Sequence, residues 1–313
     1  MDHLLINESF TDIARIGELA HDWDLEFQQM QAGPLTAKLF QQVRPGFHFG
    51  VAEFSRCIKQ EGIPPLSGRS FAVLRKPGAV EWCGHAVGYN DLMAFHPTMG
   101  FSSLSRPGFC VYTVTLPEID WQRQIQYRFG WTPTEDFSIE HVLRASPLRL
   151  GRLRSALDCY YRQLVYADSV SNTLLVTETD CVDALFDVIA ASRELIQGGG
   201  TTTTSQRAKV LRKSCELIYA HDGKPVTLTD LCAVSGVSER TVQYAFLEHT
   251  GQSPKKYIRS YRLECVRREL QSDVEQIPIT AIASRWGFVH MGQFARYYRQ
   301  QFGELPSETR HGR

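Results

Sequence analysis

The sequence lacks the features that would place it in a membrane, secreted or zinc-binding class. No apolar run approaches the ~18–20 residues that a transmembrane helix needs, and the start MDHLLINESF lacks the basic residues and long apolar core of a signal peptide. The closest two of the eight cysteines are 17 residues apart, which leaves no CxxC or zinc-ribbon spacing and favours reduced, buried thiols. We therefore expect a cytoplasmic protein without membrane contact.

Charge of either sign is also not in excess, since 34 Lys and Arg balance 34 Asp and Glu. The balance divides at GGGTTTTSQ (198–206), which has little to bury and should be a flexible linker. Residues 207–313 carry 17 basic and 11 acidic side chains, a net charge of +6, so residues 1–206 carry 17 and 23, a net charge of −6. A basic C-terminal part behind an acidic one is typical of a nucleic-acid reader joined to another domain.

The N-terminal domain, residues 1–197, should be β-rich at first and helical afterwards, which gives the chain an α+β fold. Short runs of β-forming residues between about 36 and 116 are broken by Gly, Pro and Asn, which favours an antiparallel sandwich or barrel. From about 118 to 197 the apolar period becomes helical, most clearly in 147–166 and 179–197. We expect these two helices to pack on their own domain, and a dimer seam formed by the same helices is a further expectation.

A weaker helical pattern precedes the strands. Leu5, Ile13, Ile16 and Leu19 are spaced to predict a short amphipathic helix near the N-terminus.

The C-terminal domain, residues 207–313, should be all-helical and contains an internal repeat. LTDLCAVSGV (228–237) aligns with ITAIASRWGF (279–288) at a shift of 51, and TVQYAFLEHTGQSP (241–254) aligns with QFARYYRQQFGELP (293–306) at a shift of 52. Each copy predicts a helix, a glycine-containing turn and a second helix, which is the helix-turn-helix pattern.

Local signals support this division in both copies. Gly236 and Gly287 suit the turns, where a positive φ is required, and Ser238 suits the N-cap of the first copy's second helix. Gly251 and Gly303 should end the second helices. A spacer helix of about 27 Å, SPKKYIRSYRLECVRRELQ, would join the two units. The two second helices could then reach successive major grooves, ~34 Å apart.

The two copies together resemble the AraC/XylS family of bacterial transcriptional regulators. The resemblance covers about 85 residues (226–310), including SGVSERTVQYAFLEHTGQSPKKYIRSYRLE and ITAIASRWGFVHMGQFARYYRQQFGELPSETR. It implies a DNA-binding activator that acts as a homodimer on double-stranded promoter DNA and contacts RNA polymerase. The order of β-rich and helical parts is also similar to that family, which implies an N-terminal cupin-like barrel for sensing a small-molecule effector, for dimerisation, or for both.

The family's base contacts come from the outward face of each second helix. In this sequence those positions are Arg240, Gln243 and Tyr244 in the first copy, and Gln293 and Arg296 in the second. Arg bonds guanine bidentately and Gln bonds adenine, so these residue types suit major-groove readout. Gly292 departs from the pattern, because a longer polar side chain is common at its position.

Phosphate contacts are expected from helix N-termini and from nearby cations. The candidates are Ser238, Lys255, Lys256, Arg299 and Arg310. For these residues, as for the base-reading set, the alternative is an ordinary solvated surface side chain.

An enzymatic reading has little support in the sequence. No HxH, HExxH, GxSxG, GxxxxGK[ST] or GxGxxG pattern occurs, so we predict no enzyme activity, metal or cofactor. Aromatic residues of the β-rich part could line an effector pocket or fill a core, at positions Phe47, Phe49, Phe54, Phe71, Trp82, Phe95 and Phe101. In the second case the N-terminal domain would be a purely dimerising or protein-contacting scaffold.

Overall fold

The fold was established from a computed structural model. It describes residues 4–66, 68–95, 100–130, 142–166, 175–197, 206–220, 226–272 and 277–311.

The N-terminal half contains antiparallel strands built from the predicted β-forming runs. They are β1 (Leu4–Phe10), β2 (Asp24–Gln29), β3 (Ala37–Arg44), β4 (Phe47–Phe54), β5 (Ile58–Ile63), β6 (Gly68–Leu74), β7 (Ala79–Trp82), β8 (His85–Gly88), β9 (Asp91–Ala94), β10 (Phe101–Ser105), β11 (Phe109–Pro117) and β12 (Val142–Arg144). One sheet has seven strands in the order β1-β3-β4-β11-β6-β9-β12, and the other has five in the order β2-β5-β10-β7-β8.

The two sheets pack against each other through apolar side chains. Ala72 and Val111 from the seven-stranded sheet share a buried cluster with Val80, Trp82 and Phe101 from the five-stranded one. Within the described ranges both sheets are open, so the predicted cupin-like barrel is not closed. Of the two β architectures considered, the packed sheets agree with the sandwich.

Eleven helices are seen in the described ranges. They are α1 (Ala14–Leu19), α2 (Glu118–Phe129), α3 (Pro147–Val165), α4 (Glu178–Gln197), α5 (Gln206–Ala220), α6 (Leu228–Ser235), α7 (Glu239–Thr250), α8 (Pro254–Ser272), α9 (Ile279–Arg285), α10 (Met291–Phe302) and α11 (Pro306–His311). None of these helices is long and apolar enough to cross a membrane.

Helices α3 and α4 confirm the helical pattern read in the second part of the N-terminal half. Their apolar faces are buried in one cluster with the seven-stranded sheet, where Tyr160 of α3 meets Phe49 of β4 edge to face at 5.5 Å between ring centroids. Leu157 and Phe186 belong to the same cluster. The apolar stripes therefore pack on their own domain.

The N-terminal segment differs in part from its prediction. Ile16 and Leu19 lie in α1 as expected, but Leu5 lies in β1 rather than in a helix. Strand β1 pairs along its whole length with β3, with Leu5 opposite Gln42. This non-local pairing outweighs a weak local pattern. Strands thus begin well before residue 36, and β12 adds one within the region predicted to be helical.

The C-terminal half has two apolar clusters joined by α8. Tyr257 and Tyr261 pack with Val242 and Phe246 of α7, while Val266 and Leu270 pack with α9 and α10. The predicted spacer helix is confirmed at Pro254–Ser272. Of the predicted linker, residues 198–205 lie outside the described residues.

The cysteines behave mainly as small apolar side chains. All eight are free thiols, and five are buried: Cys57, Cys110, Cys181, Cys215 and Cys265. The other three, Cys83, Cys159 and Cys232, are half-buried, so the expectation of buried thiols holds for five of the eight.

Candidate DNA-binding surface

The first helix pair, α6 and α7, is fixed by caps that the sequence encodes locally. Thr227 and Asp230 form a capping box at the start of α6. Gly236 ends α6 with a φ of +69°, and the Ser238 side chain accepts the Thr241 amide at the start of α7. Both the glycine turn and the serine N-cap are thereby confirmed. Gly251, with a φ of +71°, ends α7 as predicted.

One face of α7 is buried and the other is exposed. Val242, Ala245 and Phe246 lie in the core, whereas the predicted base-reading side chains of α7 point to solvent. Arg240 Nη2 donates to the Tyr244 hydroxyl at 3.1 Å, and the Arg240 guanidinium lies 5.4 Å from that ring. Gln243 Nε2 donates to Glu239 at 3.2 Å. These exposed contacts cost little to exchange for others.

The second pair, α9 and α10, turns in the same way but is less strongly capped. Gly287 supplies a φ of +79° in the turn, and Gly303 ends α10 at +83°. The N-cap residues Pro278 and His290 make no side-chain cap hydrogen bond. Apolar packing of Phe294 therefore contributes more to the stability of the α9–α10 pair than local capping does.

The outward face of α10 carries the second predicted set of base contacts. Gln293 and Arg296 are exposed, and Gln293 Nε2 donates to the Tyr297 hydroxyl at 2.9 Å. Tyr297, assigned from the sequence to the buried stripe, is half-buried. The Arg259 guanidinium lies 4.1 Å from the Tyr297 ring, a cation that the sequence argument missed because its partner is 38 positions away.

The predicted phosphate contacts fall into two groups. Lys255 and Lys256 are exposed in the first turn of α8, and Arg299 is exposed towards the end of α10. The Ser238 side chain caps α7 by accepting a hydrogen bond from the Thr241 amide. Any phosphate contact at Ser238 would therefore come from the N-terminus of α7 rather than from the Ser238 hydroxyl. Arg310 is half-buried, and its Nη2 donates to the Ile277 carbonyl at 2.5 Å.

The N-terminal half packs directly on the C-terminal half. Met30, Cys57 and Leu104 from the β-rich part enter the same apolar cluster as Phe246 and Tyr257.

Polar contacts cross this boundary as well. Gln252 Nε2 donates to the Met30 carbonyl, and Arg267 Nη2 lies 3.3 Å from the Asp12 carboxylate. The outward faces of α7 and α10 remain exposed despite this packing.

Between the two sheets lies a mainly apolar cavity of about 70 Å³. Of the seven aromatic residues proposed for a pocket, Phe54, Trp82 and Phe95 line it. Others belong to the core that faces α3 and α4, namely Phe47, Phe49 and Phe71. Within the described residues, no group of three or more His, Cys, Asp or Glu is placed to hold a metal ion.

Comparison with known proteins identifies the C-terminal part. Residues 231–312 match a family described as a helix-turn-helix domain. The XylDLEGF operon transcriptional activator 2 of Pseudomonas putida is 42% identical over 87 residues, which cover 28% of this chain and 55% of that protein. The regulatory protein SoxS of Salmonella typhimurium is 31% identical over 103 residues, which cover 33% of this chain and 94% of SoxS.

This chain belongs to the AraC/XylS family of transcriptional regulators. It spans about half the length of XylDLEGF activator 2 and about a third (33%) of XylDLEGF activator 3, to which it is 39% identical. Among solved structures, an AraC-type regulator from Chromobacterium violaceum is 29% identical over 33% of this family member and 89% of that chain, with a TM-score of 0.31. The AraC-like transcriptional activator CuxR is 12% identical over 90% of this chain and 100% of its own, with a TM-score of 0.37.

Proposed function

We propose that this family member is a transcriptional regulator that places α7 and α10 in two successive major grooves of promoter DNA. The observation that carries the proposal is the exposure of one polar face on each helix, while α8 packs against both helix pairs. Residues 207–313 would form the DNA-binding domain, and 198–206 would link it to a regulatory or dimerising domain, 1–197.

Base readout is assigned to the outward side chains of the two helices. Arg240, Gln243 and Tyr244 would act from α7, and Gln293 and Arg296 from α10. Their present partners are exposed or half-buried side chains, and each hydrogen bond lies at the surface, so each base-reading side chain can turn to a base edge at small cost.

Phosphate contacts are assigned to the groups that flank these helices. Lys255 and Lys256 stand at the first turn of α8, where side-chain charge and helix dipole act on the same anion. Arg299 would add a third cation, and Ser238 would offer the N-terminal amides of α7.

We further propose that the chain activates transcription as a homodimer and contacts RNA polymerase. Activation is supported by the names of the XylDLEGF relatives, which are called transcriptional activators. Sedimentation equilibrium of the full chain tests the dimer, since a monomer at micromolar concentration contradicts it.

The decisive experiment selects bound fragments from a promoter library with the full chain and maps them by hydroxyl-radical footprinting. For each bound protomer we expect two protected segments on one face of the duplex, about one helical turn (~34 Å) apart, with affinity that falls steeply as salt rises. Binding that does not depend on salt, or a footprint of a single segment, contradicts the proposal.

A second candidate function concerns the N-terminal domain alone. Small-molecule pockets usually have volumes of about 300–1,000 Å³, whereas the cavity between the sheets has about 70 Å³. This observation favours a dimerising or protein-contacting scaffold over an effector held between the sheets. Thermal unfolding of the full chain in metabolite pools tests it, because a ligand at 100 Kd stabilises by about 2.7 kcal/mol. A shift with any pool that persists when Trp82 is replaced by Ala would place the ligand elsewhere.

A further inference from the structure

A second, much larger hollow lies on the outside of the N-terminal half, between α3 and the end of β6. It has a volume of about 740 Å³ and is lined by both polar and apolar groups. That volume lies within the range of small-molecule sites. The lining residues that bear on its chemistry are Arg75, Lys76, Tyr89, Arg154, Asp158 and Arg162.

This cleft is positively charged although it belongs to the acidic half of the chain. Among the described residues, four cations and one carboxylate, Asp158, line it, and Glu53 contacts Arg75 and Lys76 beside it at 3.0 and 3.9 Å. Even with Glu53 included, the cleft keeps an excess of two positive charges over its carboxylates. Residues 1–206 as a whole carry 17 basic and 23 acidic side chains, so the excess is local.

Asp158 is fully engaged by its neighbours and does not neutralise the rest of the cleft. It accepts hydrogen bonds from Tyr112 at 2.6 Å and from Arg75 at 3.0 Å, and Arg162 lies 2.7 Å from its second oxygen. Burial raises the pKa of Asp158, but these hydrogen bonds and cations outweigh burial and hold that pKa below its usual value. Asp158 and Arg75 therefore form a fixed ion pair within the cleft.

Arg154 is the cation that the pairing of Asp158 with Arg75 and Arg162 leaves without an acidic partner. It is only 8% exposed, and its guanidinium lies 3.6 Å from the centre of the Tyr89 ring. Its Nη1 donates to the Tyr89 carbonyl at 2.6 Å, and no carboxylate of the described residues lies within ion-pair distance. A buried cation without a counter-ion is costly, and an anion from solution would remove that cost.

We propose that this cleft binds a small organic phosphate, with the phosphate on Arg154 and within reach of Lys76 and Arg162. Arginine presents a planar fork that matches two phosphate oxygens, and Arg154 is held in one orientation by the Tyr89 ring and carbonyl. These three cations line the same cleft, and several cations in one cleft suit a dianionic phosphate better than a single carboxylate. Because Arg154, Asp158 and Arg162 are four residues apart on α3, they share one face of that helix.

Binding is tested by thermal unfolding and calorimetry of the full chain with inorganic phosphate, adenosine 5′-monophosphate and glucose 6-phosphate. Sodium chloride at matched ionic strength and sodium benzoate serve as comparison anions. We expect saturable stabilisation by a phosphate compound and none by chloride or benzoate. Stabilisation by chloride alone shows general screening and overturns the proposal, as does the absence of any phosphate effect.

Variants then locate the site. Arg154→Ala should weaken phosphate binding about tenfold or more, because it removes a charge-assisted hydrogen-bonded pair. Arg152→Ala, an exposed neighbour on the same helix, should bind as the wild type does. Lys76→Ala replaces a mostly exposed side chain and so tests the site without disturbing the fold. Equal binding by wild type, Arg154→Ala and Lys76→Ala overturns the assignment.

The other polyanion that this surface could meet is DNA. If Arg154→Ala and Lys76→Ala reduce DNA affinity while free phosphates have no effect, the cleft is part of the duplex contact and the small-molecule proposal is wrong. Phosphate binding is measured without DNA, so its failure leaves the proposed DNA binding untouched.

Discussion

Gln29 and Gln301, which are 272 positions apart, exchange hydrogen bonds: each side-chain amide donates to the backbone carbonyl of the other at 2.9 Å. Gln29 ends β2 and Gln301 lies near the end of α10, so the pair joins the β-rich half to the second of the two helices proposed to bind DNA. Both residues are buried. The position of α10 therefore depends on contacts with the N-terminal half as well as on its own helix pair.

Replacing Gln301 by Ala should weaken this junction. The Gln301 amide also donates to the Ser260 carbonyl at 3.1 Å, so the variant leaves two buried carbonyls without that donor. We expect a loss of roughly 1–3 kcal/mol in the free energy of unfolding, measured in urea. Gln300→Ala changes the adjacent, exposed glutamine and should stay within about 0.5 kcal/mol of wild type. Equal stability of the two variants would show that the pair contributes nothing.

Stability should also depend on pH through Glu264 of α8. Glu264 is 3% exposed, and burial raises its pKa to about 7, against the opposing effects of Arg267 and of a hydrogen bond from the Gln29 backbone N–H. The folded state thus keeps a proton between pH 4.5 and 7 that the unfolded state has released. Stability must fall as pH rises through that window, by up to about 3 kcal/mol from this group.

Glu264→Gln removes this titration while keeping an acceptor for the Gln29 backbone N–H. The variant should lose less stability than wild type between pH 5 and pH 7.5, whereas the exposed Glu18→Gln should follow wild type. Burial also raises the pKa of Glu81 to about 7, so part of the slope will remain. Parallel curves for wild type and Glu264→Gln would contradict a protonated Glu264. Urea unfolding across the pH series provides the measurement.

Arg296→Ala should lower affinity for the selected site by about 1–3 kcal/mol and relax preference at one base position. Arg296 is exposed, and its guanidinium lies 5.7 Å from the Tyr297 ring, so its replacement should leave the fold intact. Fluorescence anisotropy with specific and random duplexes separates two roles, since equal losses on both would make Arg296 a phosphate contact. Arg123→Ala, which removes one exposed charge from α2, should bind both duplexes normally.

Lys255→Ala and Lys256→Ala should weaken binding to every sequence rather than to one. Removing one lysine–phosphate interaction should reduce the slope of log K against log salt by roughly 0.9. The double variant should therefore lower the slope by about 2 and leave the order of preferred sites unchanged. A slope identical to that of wild type would remove both lysines from the interface.

The sequence predicted the C-terminal helices well because their signals are local. The positive φ at Gly236 and the Ser238 cap depend on residues within one turn of each other. Leu5 was misplaced because its conformation depends on Gln42, its partner in β3. The Gln29–Gln301 pair and the cleft around Arg154 lay beyond sequence reasoning for the same reason. Each depends on contacts between residues far apart in the chain, such as Arg75 with Asp158 in the cleft. Contacts of this kind leave no periodic pattern in the sequence.

Substitutions of Gly292 test the second helix pair through an expected gain, in stability or in DNA binding, rather than through a loss. Gly292 occupies the second position of α10, and a Cβ added there would meet no atom within 4 Å. Gly292→Ala should therefore stabilise the folded chain by up to about 1 kcal/mol. Alanine has fewer backbone conformations than glycine in the unfolded state, so less conformational entropy is lost on folding. A destabilised Gly292→Ala would show that the backbone there needs glycine.

Gly292→Arg would add a long cation to the face that carries Gln293 and Arg296. The helix dipole opposes a cation in the first turn by about 0.3–1 kcal/mol, whereas a bidentate contact to guanine gains about 1–3 kcal/mol. Compared with Gly292→Ala, Gly292→Arg should bind the selected DNA more tightly. It should also show a new preference for guanine at one position of the second segment. Repeating the binding-site selection with both variants measures this. An unchanged consensus together with tighter binding to random DNA would mean that the new arginine meets phosphate, and that the start of α10 lies outside the groove.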